Sequence, residues 1–502
     1  MIHDPLPQRW IERGRHWPIS ALRLGAAVGT LALAYLAGCF LPIVDNPLLM
    51  VFSLAVYLVA VVILYRPELG VHFFVFLLLN FSSSVFFRAG AIVLGPLTIP
   101  GPLSGVAVLT IALIAGRRLF SRQPIILFES AWMTPLLLIL LAQVTFAVVG
   151  YGSGAEIVRL TSTVRGLAAF PLTVLVLRQL DQVRRLLRSL ALSYLLYAAV
   201  NVGISWTGHY GYRGLNPNEY TLSAATTVAA LLNLFIPVCL GAFVAETDQR
   251  WRGLFLTALL STILLSLLTL SRGGLLGIGF SLLAWMVLGR RYLSRRLVVG
   301  FGAALLMVLI VNSTYNVSNY PILTFSYHRA LEQLASNDPG ARHNLYWAAW
   351  QMILKDPLTG IGAGRLPSHS LFLSAGLDGG ILFMGIWLIM FAVLVVRSFS
   401  LWRRLANDPV WGAVALGLCI SMALAFVQNW LDMMLYEVGY GLVFWLLRGM
   451  ESVLDATVPK ARDIEDTQDP RTALMSSPVS ISSRAGITAP PGCGNPGSRP
   501  DT

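Results

Sequence analysis

Four polar stretches interrupt an otherwise apolar chain, and they hold the residue types that chemistry on a phosphate ester needs. They are Tyr212-Arg213-Gly214-Leu215-Asn216-Pro217-Asn218-Glu219, Ser271-Arg272-Gly273-Gly274, Arg342-His343 and His369-Ser370. Arginine presents a planar fork of donors that matches phosphate oxygens, and it stays charged. A histidine or carboxylate nearby can take the proton of an attacking hydroxyl. Each stretch also has a plainer reading. Asn-Pro is a turn signal that caps a following helix, and Arg272 could snorkel to lipid headgroups. Arg342-His343 could anchor a helix at an interface, and a lone histidine is more often a structural residue than a catalyst.

What the chain lacks narrows the chemistry further. There is no Asp-x-Asp pair and no run of carboxylates suited to holding Mg²⁺ around a diphosphate. A Walker-type phosphate loop and a His/Cys zinc set are also missing. Neither a metal nor a cofactor is expected, so guanidinium groups must stabilise the charge developing on a leaving group.

The elements that carry these residues are set by composition. Of 502 residues, 56% are hydrophobic and only 12% charged, with a mean hydropathy of +0.70. Soluble domains run near ~25% charged. This chain has too few charges to coat a water-facing surface, which excludes a cytosolic enzyme, a nucleic-acid binder and a secreted disulfide scaffold. Cys39, Cys239 and Cys419 fall in apolar runs and Cys493 in a polar tail, a pattern of packing rather than of disulfides or metal ligation.

A bilayer core needs about 20 apolar residues per helix. Such runs give fourteen approximate spans, at 24–43, 48–65, 70–87, 98–116, 131–149, 164–177, 189–206, 221–244, 253–270, 273–289, 297–313, 378–396, 409–427 and 438–449. The expected fold is therefore all-α and polytopic, with about 12–14 transmembrane helices. With both termini in the cytoplasm, 27 of the 36 Lys and Arg lie on inner segments and nine on outer ones. Flipping the chain would invert that bias, so the net charge of +12 is a topology signal. This orientation puts all four polar stretches on the outer side.

The expected organisation is a cytoplasmic segment (1–23), eleven helices (24–313), one large periplasmic loop (314–377), three helices (378–450) and a disordered cytoplasmic tail (451–502). Within the loop, 342–354 reads as an amphipathic helix lying on the bilayer surface. Asp356-Pro357 stops it, and Gly360, Gly362 and Gly364 read as a flexible turn. An outward site has no access to ATP or nucleotide sugars. A transfer reaction there must use a donor already activated and already in the membrane.

The order Thr269-Leu270-Ser271-Arg272-Gly273-Gly274, then Arg342 opening an amphipathic helix, then Asp356-Pro357-Leu358-Thr359-Gly360-Ile361-Gly362 and His369, resembles the bacterial O-antigen ligase and O-antigen/exopolysaccharide polymerase superfamily. The Asn216-Pro217-Asn218-Glu219 turn is similar to a Pro-Asn element upstream in those proteins, and the likeness covers roughly 210–395. The resemblance implies a GT-C-like, metal-independent membrane glycosyltransferase. It would move a glycan from a polyprenyl diphosphate to an acceptor hydroxyl, on another glycan or on lipid A-core, at the periplasmic face of the inner membrane. Arg272 and Arg342 match the family's diphosphate-binding arginines, and His369 matches its acceptor-activating or donor-contacting histidine. The family usually writes His-Asn where this chain has His369-Ser370. Location adds Arg213 as a further cation and Glu219 as a second candidate base, with Ser271, Ser370 and Asn218 in support. The implied partners are the lipid-linked donor, the acceptor, membrane lipids and other polysaccharide-assembly proteins, with no nucleic acid. The alternative class is a transporter or flippase, in which ionisable residues near mid-membrane are expected.

Overall fold

The computed structural model describes residues 66–81, 92–94, 97–99, 169–206, 210–211, 214–215, 225–269, 271–294, 340–362 and 368–468, with isolated residues elsewhere. Apart from two minimal antiparallel ribbons, these are helical. In order they are α1 (Gly70–Phe81), β1 (Ile92–Leu94), β2 (Leu97–Ile99), a helical run at 169–176, α2 (Leu180–Trp206), β3 (Tyr210–Gly211), β4 (Gly214–Leu215), α3 (Ala225–Ala245), α4 (Gln249–Leu268), α5 (Arg272–Leu288), α6 (Gly340–Lys355), α7 (Leu371–Leu405), α8 (Trp411–Leu431) and α9 (Val438–Gln468). Four of the described helices, α3, α4, α7 and α8, are long and apolar enough to cross a membrane. The protein is an all-α polytopic membrane protein.

The centre of the bundle is α3, which carries no charged residue and is apolar all round, the pattern of a helix buried on every side. It packs against α8 through glycines. A Cβ at Gly417 would come within 3.0 Å of Val238 Cα, and one at Gly241 within 3.2 Å of Ala413 C. On another side, Gly274 and Gly277 of α5 meet Ala229 and Asn233 of α3. Pro237, inside α3, has no N–H to give the carbonyl four residues back, and its own carbonyl accepts from Trp285 Nε1 at 3.2 Å.

These pairings make α3 antiparallel to α8 and parallel to α5, so the bundle has two chemically distinct ends. At one end Arg188 bonds Glu246 at 2.9–3.0 Å and stacks 4.6 Å over Trp251. Asp248 caps α4, Tyr292 Oη donates to the Ala406 carbonyl at 2.7 Å, and Arg404 pairs with Asp455. The opposite end holds the α4–α5 turn, the start of α7 and the end of α8, where Phe372 and Trp430 rings lie 5.3 Å apart.

Several elements differ from the sequence reading. Residues 98 and 99, placed at the start of a span, belong to a strand (97–99) that pairs with 92–94. The helix expected at 378 begins at Leu371, because residues 371–377 have an apolar partner in α6. Residues 451–468, expected to lack periodic structure, continue α9; Val453 and Leu454 are buried, giving that helix an inward stripe. Arg448, counted as a cytoplasmic anchor, is 1% exposed. It pairs with Glu451 at 2.6 Å and donates to Ser398 Oγ at 3.0 Å and the Leu418 carbonyl at 3.2 Å. The chain divides into Met1–Thr457 and Val458–Thr502; of the second unit, 458–468 are described and helical.

Candidate active site

The α4–α5 turn is built from hydroxyls. Thr269 Oγ1 donates to the Ser266 carbonyl at 2.7 Å and accepts from Ser271 N at 3.3 Å. Ser271 is extended at φ −78°, and its hydroxyl accepts from Gly274 N at 3.2 Å, the geometry of an N-cap. Arg272 is thereby the first residue of α5, where unpaired N–H groups and the helix dipole favour an anion.

Arg342 lies on α6, and Tyr346 follows it by one turn on the same stripe. The stripe of α6 that the sequence reading did not single out, Ala349 and Ile353, is buried against Leu377 of α7. Trp347 stays 60% exposed. The reason is the turn that follows. Gly360 (φ +65°) and Gly362 (φ +92°) form a fixed clamp rather than a flexible link. α7 is broken at Gly379 and Gly380, the latter at φ +74°, and the clamp satisfies the groups the break exposes. Ile361 N and Gly362 N donate to the Leu377 carbonyl at 2.8 and 3.1 Å, and Ile381 N donates to the Pro357 carbonyl at 2.7 Å. The Asp356–Gly362 motif thus docks α6 onto the first two turns of α7.

His369 precedes those turns. It is the non-glycine residue at positive φ (+54°) among the described residues, a conformation that costs energy and needs support. Ser368 supplies it, donating to the Ser370 carbonyl at 2.9 Å, accepting from Ser370 N at 3.3 Å and meeting Ser374 Oγ at 2.6 Å. Ser370 sits at the N-cap position of α7 without a side-chain cap bond and is buried, so it serves through its backbone. The imidazole is 42% exposed, and its Nδ1 lies 3.7 Å from Asp432 Oδ1, ion-pair range but longer than a hydrogen bond. Tyr346 Oη donates to the Leu431 carbonyl at 2.9 Å and lies 3.5 Å from the His369 carbonyl. The helix that carries Arg342 is therefore tied to both His369 and the end of α8.

Asp432 escaped the sequence reading. It ends α8 and accepts from Met433 N at 2.9 Å. Nearby Glu437 has its carboxyl pushed above the ordinary 4.5, first by the protein packed around it and then by repulsion from Asp432. Their position supplied a usable signal, since 428–437 joins two spans on the predicted outer side. Arg213, Asn218 and Glu219 lie outside the described residues, although β3 and β4 pair on either side of Arg213, Tyr210 against Leu215 and Gly211 against Gly214. Among the described residues, no three His, Cys, Asp or Glu side chains come together as metal ligands.

Known proteins were compared with the chain. No curated protein matches it. Residues 255–388, from early α4 through the broken part of α7, match the family model described as O-Antigen ligase. The matched stretch, about a quarter of the chain, builds the α4–α5 turn, α6, the clamp and the His369 turn, and it is similar to O-antigen ligases over the same motifs.

Proposed function

We propose that the protein transfers a glycan from a polyprenyl-diphosphate carrier to an acceptor hydroxyl at the periplasmic face of the bacterial inner membrane, as a ligase or polymerase of surface polysaccharide. The carrying observation is His369, braced at positive φ, facing Asp432 and linked through Tyr346 to the helix of Arg342, at the bundle end where α5 begins with Arg272. In this reading the acceptor hydroxyl passes its proton to the His369 ring, and Asp432 faces the imidazolium that forms. The freed oxygen attacks the anomeric carbon, and the bond from that carbon to the diphosphate oxygen breaks. Negative charge then develops on the departing lipid diphosphate, where Arg272 and Arg342, with Arg213 as a third cation, stabilise it. Glu219 remains the second candidate base. Asn218 remains a supporting residue of the same outer stretch. No metal or cofactor enters this scheme.

The test is transfer by purified protein in liposomes given lipid-linked glycan and acceptor. Arg272→Ala, Arg342→Ala and His369→Ala should each lower turnover by about 100-fold or more, and Asp432→Asn by about 10- to 100-fold. Near-normal turnover in both arginine variants overturns the site. Counterflow of labelled lipid-linked glycan without a new glycosidic bond overturns the reaction and identifies a transporter.

A further inference from the structure

We infer that Asn233, in the middle of α3, is a positioning residue that sets the presentation of Arg272; this rests on the diphosphate-binding reading of Arg272 above. A carboxamide buried among apolar helices is costly unless its donors and acceptor are used. Asn233 has no exposed surface, and both ends of its carboxamide are engaged. Nδ2 donates to the Gly274 carbonyl at 3.1 Å and lies 3.4 Å from the Gly273 carbonyl, while Oδ1 accepts from Ser266 Oγ at 3.3 Å. One side chain therefore joins the last turn of α4 to the first turn of α5, across the turn that carries Thr269, Ser271 and Arg272.

The neighbours are cut to admit it. A Cβ on Gly277 would fall 2.7 Å from Asn233 Cγ and closer still to Nδ2, and one on Gly274 would fall 2.9 Å from Ala229 Cβ. Carbonyl oxygens have two lone pairs, so Gly273 and Gly274 can serve α5 and still accept from Asn233. The angle at which α5 leaves the turn is then held by hydrogen bonds of fixed direction rather than by apolar contact alone, which tolerates sliding. A small rotation at the first residue of a helix is amplified along an arginine side chain, and misplacement on the ångström scale is enough to cost binding and catalysis.

The experiment uses the full-length protein and measures donor KM, acceptor KM, kcat and thermal midpoint for wild type, Asn233→Leu, Ser266→Ala, Arg272→Ala and Asn233→Leu/Arg272→Ala. Asn233→Leu keeps the branched shape of the side chain and removes the bonds. It should raise donor KM by about ten-fold while leaving acceptor KM unchanged. Ser266→Ala, which removes one bond, should shift donor KM the same way by about two- to three-fold. The double variant should be no worse than Arg272→Ala, because the two act through one group. A merely structural role would reduce the active fraction and kcat without moving donor KM. An unchanged donor KM in Asn233→Leu and Ser266→Ala beside a damaged Arg272→Ala overturns the inference alone. An unchanged donor KM in Arg272→Ala overturns the clamp reading itself. Should Asn233→Leu fail to fold, Ser266→Ala decides.

Discussion

Replacing Gly380 with alanine tests the claim that the Asp356–Gly362 turn and the break in α7 form one lock. Gly380 sits at φ +74° and ψ −171°, a region essentially closed to residues with a Cβ and worth about 1–3 kcal/mol of strain. The added methyl would lie 2.7 Å from Leu358 C and 2.8 Å from Leu358 O, and nearer still to the Pro357 carbonyl. The clamp would have to lift away, exposing the bond from Ile381 N to Pro357 and the pair from Ile361 N and Gly362 N to Leu377. At about 1 kcal/mol net for each bond lost, and with some of the three surviving, the combined cost is about 2–5 kcal/mol. Thermal unfolding in detergent should show a midpoint lower by about 5 °C or more. Turnover should fall with it, because α6 and His369 both hang from this lock. Gly385→Ala is the internal control. It lies in the same helix, nothing approaches its Cβ within 4 Å, and alanine is the better helix former, so its midpoint should hold or rise. If Gly380→Ala and Gly385→Ala unfold alike, the lock does not exist as described.

Two further outcomes follow from buried or crowded charge. Glu451→Ala would strand the Arg448 guanidinium, both side chains being 1% exposed, and should cost about 3–5 kcal/mol. The double replacement Arg448→Met/Glu451→Met should cost far less, and equal losses in thermal unfolding would show the two are not a pair. For Glu437 the folded carboxyl titrates above its ordinary 4.5, so the folded state disfavours its charged form. That penalty is fully present above the raised value and disappears as pH falls below 4.5. Glu437→Gln should therefore raise the unfolding midpoint at neutral pH and lose its advantage in acid; an advantage that persists in acid would assign the gain to packing.

Some of the site was legible in sequence because it is local. The Ser271-Arg272 turn is short, and a hydroxyl before Gly-Gly at the end of an apolar run is an N-cap signal readable from neighbours alone. The stop at Asp356-Pro357 is readable for the same reason. Gly360 and Gly362 read as part of a flexible turn because a positive φ is permitted by sequence but demanded only by what packs against it, here the Leu377 carbonyl and the broken turn of α7; Gly364 lies outside the described residues. Asp432 was missed because its meaning lies in its distance from His369, 63 positions away in the chain. Arg448 looked like a cytoplasmic anchor because charge at the end of an apolar run usually is one. Glu451, three residues later, pairs with it only because α7, α8 and α9 enclose both.

The sequence alone determined that this chain lives in a bilayer, since too few charges and repeated runs of about 20 apolar residues leave no soluble alternative. The lopsided distribution of arginine also predicts the outer side for its four polar stretches. The tertiary structure decided which of those stretches meet other parts of the chain. It folded the His369 turn against Asp432, docked the Arg342 helix on α7 and stapled the base of Arg272 to α3 through Asn233. Those outcomes depend on hydrogen bonds and close glycine contacts between segments far apart in the chain, which hydropathy and spacing do not encode.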